Sequence, residues 1–263
     1  MNQYTKNKNH MESVKQEIRQ LCEQFRLGGI SPGLDQALLE AEKENTGYAA
    51  FALKLLRAEA AHRSRRDEAK RLKTAGLPRG ADLDSFDTSV ENGLSAKKIG
   101  QLRELNWVDQ IFNIVLMGPS GVGKTRIASG LCLDAVKAGY KAYFRTMQDI
   151  VNTLGTKDAV PSQNAEYRRL MKANIIVIDD IMLFPLQKEM AVAFFNFINQ
   201  VYENASIVIT TNKAPAEWVK MLDDEVIATA LLDRILYRCE IIRLTGESYR
   251  MKNRKSFFEN QND

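Results

Sequence analysis

Apolar residues recur at helical spacing from Met11 to about Lys73, in VKQEIRQLCEQF, LDQALLEAEKE and YAAFALKLLRAEAAHRSRRDEAKRLK, which predicts three helices. Gly28, Gly29, Ser31, Pro32 and Gly33 break the first from the second, and Asn45, Thr46 and Gly47 break the second from the third. Residues 74–92, with Gly76, Pro78, Gly80 and alternating Asp and Ser, have turn chemistry and read as a linker. Beyond it the pattern changes to short apolar runs separated by helix-length stretches: IFNIVLM (111–117), KAYFRT (141–146), NIIVIDD (174–180), SIVITTN (206–212) and EIIRLTG (240–246). Such alternation predicts right-handed crossovers and a five-stranded, mostly parallel sheet covered on both faces. The expected organisation is a small all-helical domain (1–73), the linker (74–92) and an α/β domain (93–263).

Composition narrows the class. The 263 residues are 44% apolar and 27% charged, with 15 Gly and 6 Pro, which excludes collagen-like and low-complexity chains. No run of about 18 uncharged apolar residues occurs, and MNQYTKNKNH leads into charged sequence, so the expectation is a cytoplasmic protein with no membrane contact. Three cysteines far apart and two histidines assemble neither a disulfide framework nor a zinc cluster. Charge is uneven: residues 1–80 hold 15 Lys/Arg against 10 Asp/Glu, whereas the remainder hold 22 against 23. The positive excess of the first third fits a polyanionic partner.

The sharpest chemistry follows the first strand-like run. Gly118, Pro119, Ser120, Gly121, Val122, Gly123, Lys124 and Thr125 spell G-x-x-x-x-G-K-[ST] between a strand and a helix, with Arg126 next to them. Glycines let the backbone curl so that its N–H groups converge on phosphate oxygens at a helix N-terminus. Lys124 then neutralises the β- and γ-phosphates of ATP, and Thr125 places a hydroxyl on Mg²⁺. A second apolar strand ends in Asp179 and Asp180, 55 residues after Lys124. Asp179 fits the Mg²⁺ shell and Asp180 the polarisation of an attacking water. The run SIVITTN fits a strand inserted between these two, which brings Thr211 and Asn212 near the γ-phosphate, where Asn212 orients the water. Asn212-Lys213-Ala214-Pro215 has Pro where a guanine-reading N-K-x-D has Asp, which argues against a GTPase. No acceptor pocket of a small-molecule kinase can be read.

Arg234 follows an acidic residue near a helix end, and Arg250 follows a short strand and turn; each alone reads equally as a solvated or ion-paired arginine. GPSGVGKT, IIVIDD, SIVITTNKAPAEW, LLDRI and GESYR, in that order, resemble the IstB-like transposition helper ATPases, a branch of the AAA+ proteins close to the DnaC-type helicase loaders. The likeness covers roughly residues 10–255. It implies an AAA+ P-loop domain, with Asn212 as sensor one, Arg234 as a finger reaching a neighbouring subunit and Arg250 as a sensor at the γ-phosphate. Asp180 departs from the usual Glu by one methylene, which implies slow hydrolysis. Thirteen residues follow Arg250, so no C-terminal lid domain is expected, and a neighbouring subunit is expected to cover the nucleotide in an ATP-dependent homo-oligomer.

An ATP-driven oligomer with a basic surface suits gripping duplex DNA by its phosphates. Lys141, Arg145, Thr146, Lys157, Arg168, Arg169 and Lys172, around the second strand and the helix after it, are the expected contacts, with solvated surface charge as the alternative. Arg63, Arg65, Arg66, Lys70, Arg71 and Lys73 offer a second basic face. No base-reading motif is present. Phe25, Leu38, Leu39, Tyr48, Phe51, Leu55 and Leu56 are expected mostly in the core of the helical domain, which the resemblance assigns to subunit association and to a transposase. Trp107 and Trp218 read as packing residues. The resulting expectation is an ATP-dependent helper that assembles on DNA and recruits or activates a transposase. A helicase loader and a DNA clamp with vestigial hydrolysis are the alternatives.

Overall fold

A computed structural model describes residues 3–86, 93–222, 224–252 and 254; for residues 3–9 and 250 it describes the backbone course alone. Two compact units divide the chain, Met1–Lys70 and Arg71–Asp263.

The smaller unit holds α1 (Gln3–Gln24), a short 3-10 turn (Ser31–Gly33), α2 (Leu34–Lys43) and most of α3 (Tyr48–Ala75). Its core is thin: Cys22, Ile30 and Leu34 are buried, with Ile18, Leu27, Leu38 and Leu55 packed against them. The buried Glu59 carboxylate accepts from Gly29 N at 2.7 Å and from Arg63 Nε at 2.6 Å. Arg63 holds that carboxyl below its ordinary pKa. The expectation for the apolar residues here fails for four of them. Phe25, Leu39, Tyr48 and Leu56 are 61%, 61%, 96% and 63% exposed. Helical periodicity marks an apolar face, but three helices close around one small cluster, and the rest of that face meets no neighbour inside the unit.

The larger unit begins where a linker was expected. Ala75 and Leu83 are buried in its core, and the guanidinium of Arg145 donates to the carbonyls of Thr74 (3.1 Å) and Ala75 (2.9 Å) at the end of α3. Residues 87–92 of the expected linker lie outside the described residues. Then come α4 (Ala96–Arg103), α5 (Asn106–Asp109), β1 (Asn113–Met117), α6 (Lys124–Lys137), β2 (Ala142–Thr146), α7 (Met147–Thr156), α8 (Pro161–Leu170) and β3 (Ile175–Asp179). The chain continues through α9 (Lys188–Val201), β4 (Ser206–Thr211), α10 (Pro215–Leu222), α11 (Glu225–Leu236), β5 (Cys239–Arg243) and α12 (Tyr249–Lys252).

All five strands are parallel, in the order β2-β3-β4-β1-β5. The inner strands β1, β3 and β4 are mostly apolar because both of their faces are covered, whereas the edge strand β5 exposes Glu240, Ile241 and Arg243. Val115, Ile176, Ile178, Ile207 and Ile209 meet α7, α9, α10 and α11 in one core cluster. The alternate positions Ile114, Leu116, Ile175, Val177 and Val208 meet α4, α5 and α6 in the other. Asn113 joins the lower ends of three elements: its Nδ2 donates to Ile235 O of α11 and its Oδ1 accepts from Ile207 N of β4, both at 2.8 Å. Because every strand runs the same way, Met117, Thr146, Asp179, Thr211 and Arg243 end along one edge, where ligands of open α/β sheets bind. Among the described residues no helix is long and apolar enough to cross a membrane.

Candidate nucleotide site

The loop between β1 and α6 is shaped by the segment after β5. Gly118 has φ +156°, and a Cβ there would lie 2.1 Å from the carbonyl oxygen of Leu244; at Gly121, φ +86°, it would lie 2.0 Å from Ser248 Oγ. Side chains are therefore excluded at both positions by close approach of the chain as well as by dihedral. Leu244 N donates to Met117 O (2.7 Å) and Tyr249 N to Gly121 O (3.0 Å), so GESYR docks directly on the loop. Pro119 and Ser120 are exposed, and Val122 is buried in the core. Lys124 Nζ donates to Gly118 O (2.7 Å) and Pro119 O (2.6 Å), which holds the ammonium inside the curl of the loop. Arg126 turns to the chain before the sheet: its Nη2 donates to Ser85 O (3.0 Å) and Oγ (2.8 Å), and it lies over the ring of Phe86, 5.9 Å from the centroid.

The neighbouring acid is Asp179, 6% exposed at the end of β3. Thr125 Oγ1 donates to its Oδ1 at 3.0 Å and Thr210 Oγ1 at 2.5 Å. Burial pushes the carboxyl above its ordinary pKa and Asp180 adds to that, while the two hydroxyls and Lys124 pull the other way. A carboxylate so weakly compensated fits a cation. No group of three or more His, Cys, Asp or Glu capable of holding a metal occurs among the described residues. One carboxylate and one hydroxyl, completed by phosphate oxygens and water, is the donor set that suits Mg²⁺. Asp180 follows in the left-handed region (φ +55°), its side chain exposed and its N–H donated to Thr210 Oγ1 at 2.9 Å. Thr210 thus fixes both acids and was missed. Three hydroxyl residues, Ser206, Thr210 and Thr211, stand in β4, so the sequence alone does not single out Thr210.

β4 lies between β1 and β3, as the order of motifs predicts, and ends at Thr211, so the exposed Asn212 sits on the same edge as the loop. Arg234 is elsewhere: it contacts Asn199, Ala230, Phe195 and Tyr202. Arg250 follows Tyr249 in α12, next to the loop in backbone terms, and its side chain lies outside the described residues.

The seven expected DNA contacts separate. Arg145 is held internally by Glu166 (2.5 Å) and by the carbonyls of Thr74, Ala75 and Phe144. Arg169 pairs with the same Glu166. Thr146 caps α7 in a reciprocal box with Asp149. Lys157 pairs with Asp158 at 2.9 Å and lies 5.2 Å from the ring centre of Tyr167. Lys141, Arg168 and Lys172 are exposed.

A parallel 2-3-4-1-5 sheet with a glycine loop and Lys124-Thr125 after β1, Asp179 and Asp180 at the end of β3, and Asn212 just past β4 defines a P-loop ATP-binding protein of the AAA+ class. Within that class, residues 20–257 match the profile of the IstB-like ATP binding protein family, and the chain belongs to that family. It is 44% identical over 248 residues to an ATP-binding protein of Bacteroides fragilis named for an IS21-like insertion sequence, covering 94% of each chain. A Pseudomonas aeruginosa protein named as the ATP-binding protein of insertion sequence IS21 is 34% identical over 239 residues, 91% of this chain and 90% of that one. The DnaC helicase loader shares the fold, with a TM-score of 0.51 and 18% identity over 64% of this chain and 98% of its own.

Proposed function

We propose that the chain is an ATP-hydrolysing helper of DNA transposition that assembles with ATP on duplex DNA and recruits or activates a transposase. The observation that carries this reading is the buried Asp179 tied to Thr125 of the phosphate loop. Lys124 exchanges the carbonyls of Gly118 and Pro119 for phosphate oxygens, and Thr125 with Asp179 holds Mg²⁺. Mg²⁺ held there would supply positive charge against the phosphates. Asp180 accepts the proton of the attacking water while Asn212 orients it, and Arg250 and a neighbour's Arg234 supply positive charge. Asp180 is short and begins in a left-handed turn, which favours slow turnover and a long-lived ATP state. Of the seven expected contacts around β2, Lys141, Arg168 and Lys172 are exposed and left to meet DNA phosphates.

Relatives named for insertion sequences, at 44% and 34% identity, favour transposition over helicase loading, for which the likeness at 18% identity supports the fold alone. Light scattering with ATP and duplex DNA, combined with phosphate release, tests the reading. Wild type should assemble and turn over slowly; Asp180→Ala should assemble while losing turnover by about 10² to 10⁴. A chain that stays monomeric with ATP and DNA, or whose turnover ignores Asp180→Ala, overturns it. Tighter binding to single strands than to duplex turns the reading towards a loader.

A further inference from the structure

Arg234 lies in the last turn of α11, and its guanidinium is laid against α9. Phe195, Asn199 and Tyr202 stand at i, i+4 and i+7, so they share one helix face. The guanidinium carbon is 4.8 Å from the ring centre of Phe195 and 5.7 Å from that of Tyr202. Its Nε donates to Asn199 Oδ1 at 2.6 Å, and its Nη1 donates to Ala230 O, one turn back, at 2.8 Å. Among the described residues Nη2 donates to none. Two points separate this from an ordinary surface arginine. A solvated Arg loses about 2 kcal/mol of rotamer freedom when it is ordered, and here the ordering is complete within one protomer. Its partners are an amide, a peptide carbonyl and two ring faces, with no carboxylate among them, so the side chain is fixed and its charge stays unquenched. An arginine held merely for stability would be as well served by an acid.

We propose that Asn199 and Phe195 are positioning residues: they hold the Arg234 guanidinium against α9, with Nη2 given no hydrogen-bond acceptor among the described residues, for the triphosphate bound at the loop of a second copy of this chain. The proposal rests on the reading of Arg234 as a finger acting between subunits. α9 follows the Asp179 strand in the chain, so the same stretch that ends one protomer's acid pair builds the rack for its finger.

The test uses the full-length protein with ATP, Mg²⁺ and duplex DNA. Arg234→Ala should lower kcat about 10³-fold or more. Asn199→Ala and Phe195→Leu should each lower it about tenfold, the worth of one charge-assisted contact. ATP affinity should stay within about twofold and the melting temperature should be unchanged. Asn199→Asp should also slow turnover, because an ion pair quenches the charge. Mixed with Asp180→Ala subunits, which still assemble with ATP and keep an intact rack and finger but turn over negligibly themselves, Asn199→Ala subunits should regain turnover, because the neighbour supplies the arginine. Wild-type turnover in Asn199→Ala or Asn199→Asp, loss of ATP affinity in Asn199→Ala, or failure of the mixture to recover overturns the positioning role. An unchanged Arg234→Ala instead overturns the finger reading itself, so the two failures are distinct.

Discussion

The two units treat the same kind of residue in opposite ways. In Arg71–Asp263, Phe194, Phe197 and Trp218 are fully buried on a sheet whose inner strands are sealed on both faces. In Met1–Lys70, three buried residues make the core, and Phe25, Leu39, Tyr48 and Leu56 face outward. An apolar stripe therefore means core only where enough elements exist to enclose it. Where they do not, it is surface that a monomer rarely leaves uncovered. The large unit holds the ATP-binding loop, and the small one leaves a large share of its few apolar side chains at its surface.

Three experiments break or sharpen that contrast. Lys124→Ala removes the cation inside the loop, and calorimetry should find ATP affinity lower by at least about 100-fold. Deleting the small unit's exposed side chains should leave that affinity untouched. Next, Phe194→Ala should cost about 3–5 kcal/mol of stability in denaturant unfolding. Phe25→Ala should stay within about 0.5 kcal/mol while weakening assembly or partner binding; an equal stability cost at both positions would erase the distinction between core and surface. The smallest effect comes from the site's own acid. Asp179 has its pKa raised from an ordinary 3.8. The folded chain therefore keeps that proton longer than the unfolded one, and a stability cost appears as pH rises through and above that value. Asp179→Asn keeps an oxygen for Thr125 and Thr210. It should raise the melting temperature of the metal-free protein at pH 7 by about 3 °C, the equivalent of about 1 kcal/mol. The gain should shrink as pH falls towards the unfolded value, and Mg²⁺-dependent turnover should be lost.

How much could be read in advance follows the range of the interactions. Strands β1 to β5, the glycine loop and the acid pair were legible, because each is a local pattern of period, turn chemistry and spacing. The insertion of β4 between β1 and β3 was legible from the order of motifs. Thr210 was not, because its value lies in a partner on the adjacent strand, 31 residues away. Arg145 reads as a DNA contact from the sequence, yet it closes the end of α3 and pairs with Glu166, a destination no local pattern encodes. Ala75 and Leu83 were lost among turn residues that mark a loop without saying that the loop is packed.

The threading of β1 between β4 and β5 has a consequence for the newly made chain. A ribosome that has translated the glycine loop has produced the motif but no receptacle, because both flanking neighbours of β1 are still unwritten. Only when residues 206–211 emerge can the middle of the sheet close, and only with residues 239–249 does the loop gain the segment against which it is moulded. A nascent chain arrested at residue 200 should therefore fail to retain ATP although the whole glycine loop, Gly118 to Thr125, and Asp179 are already in place.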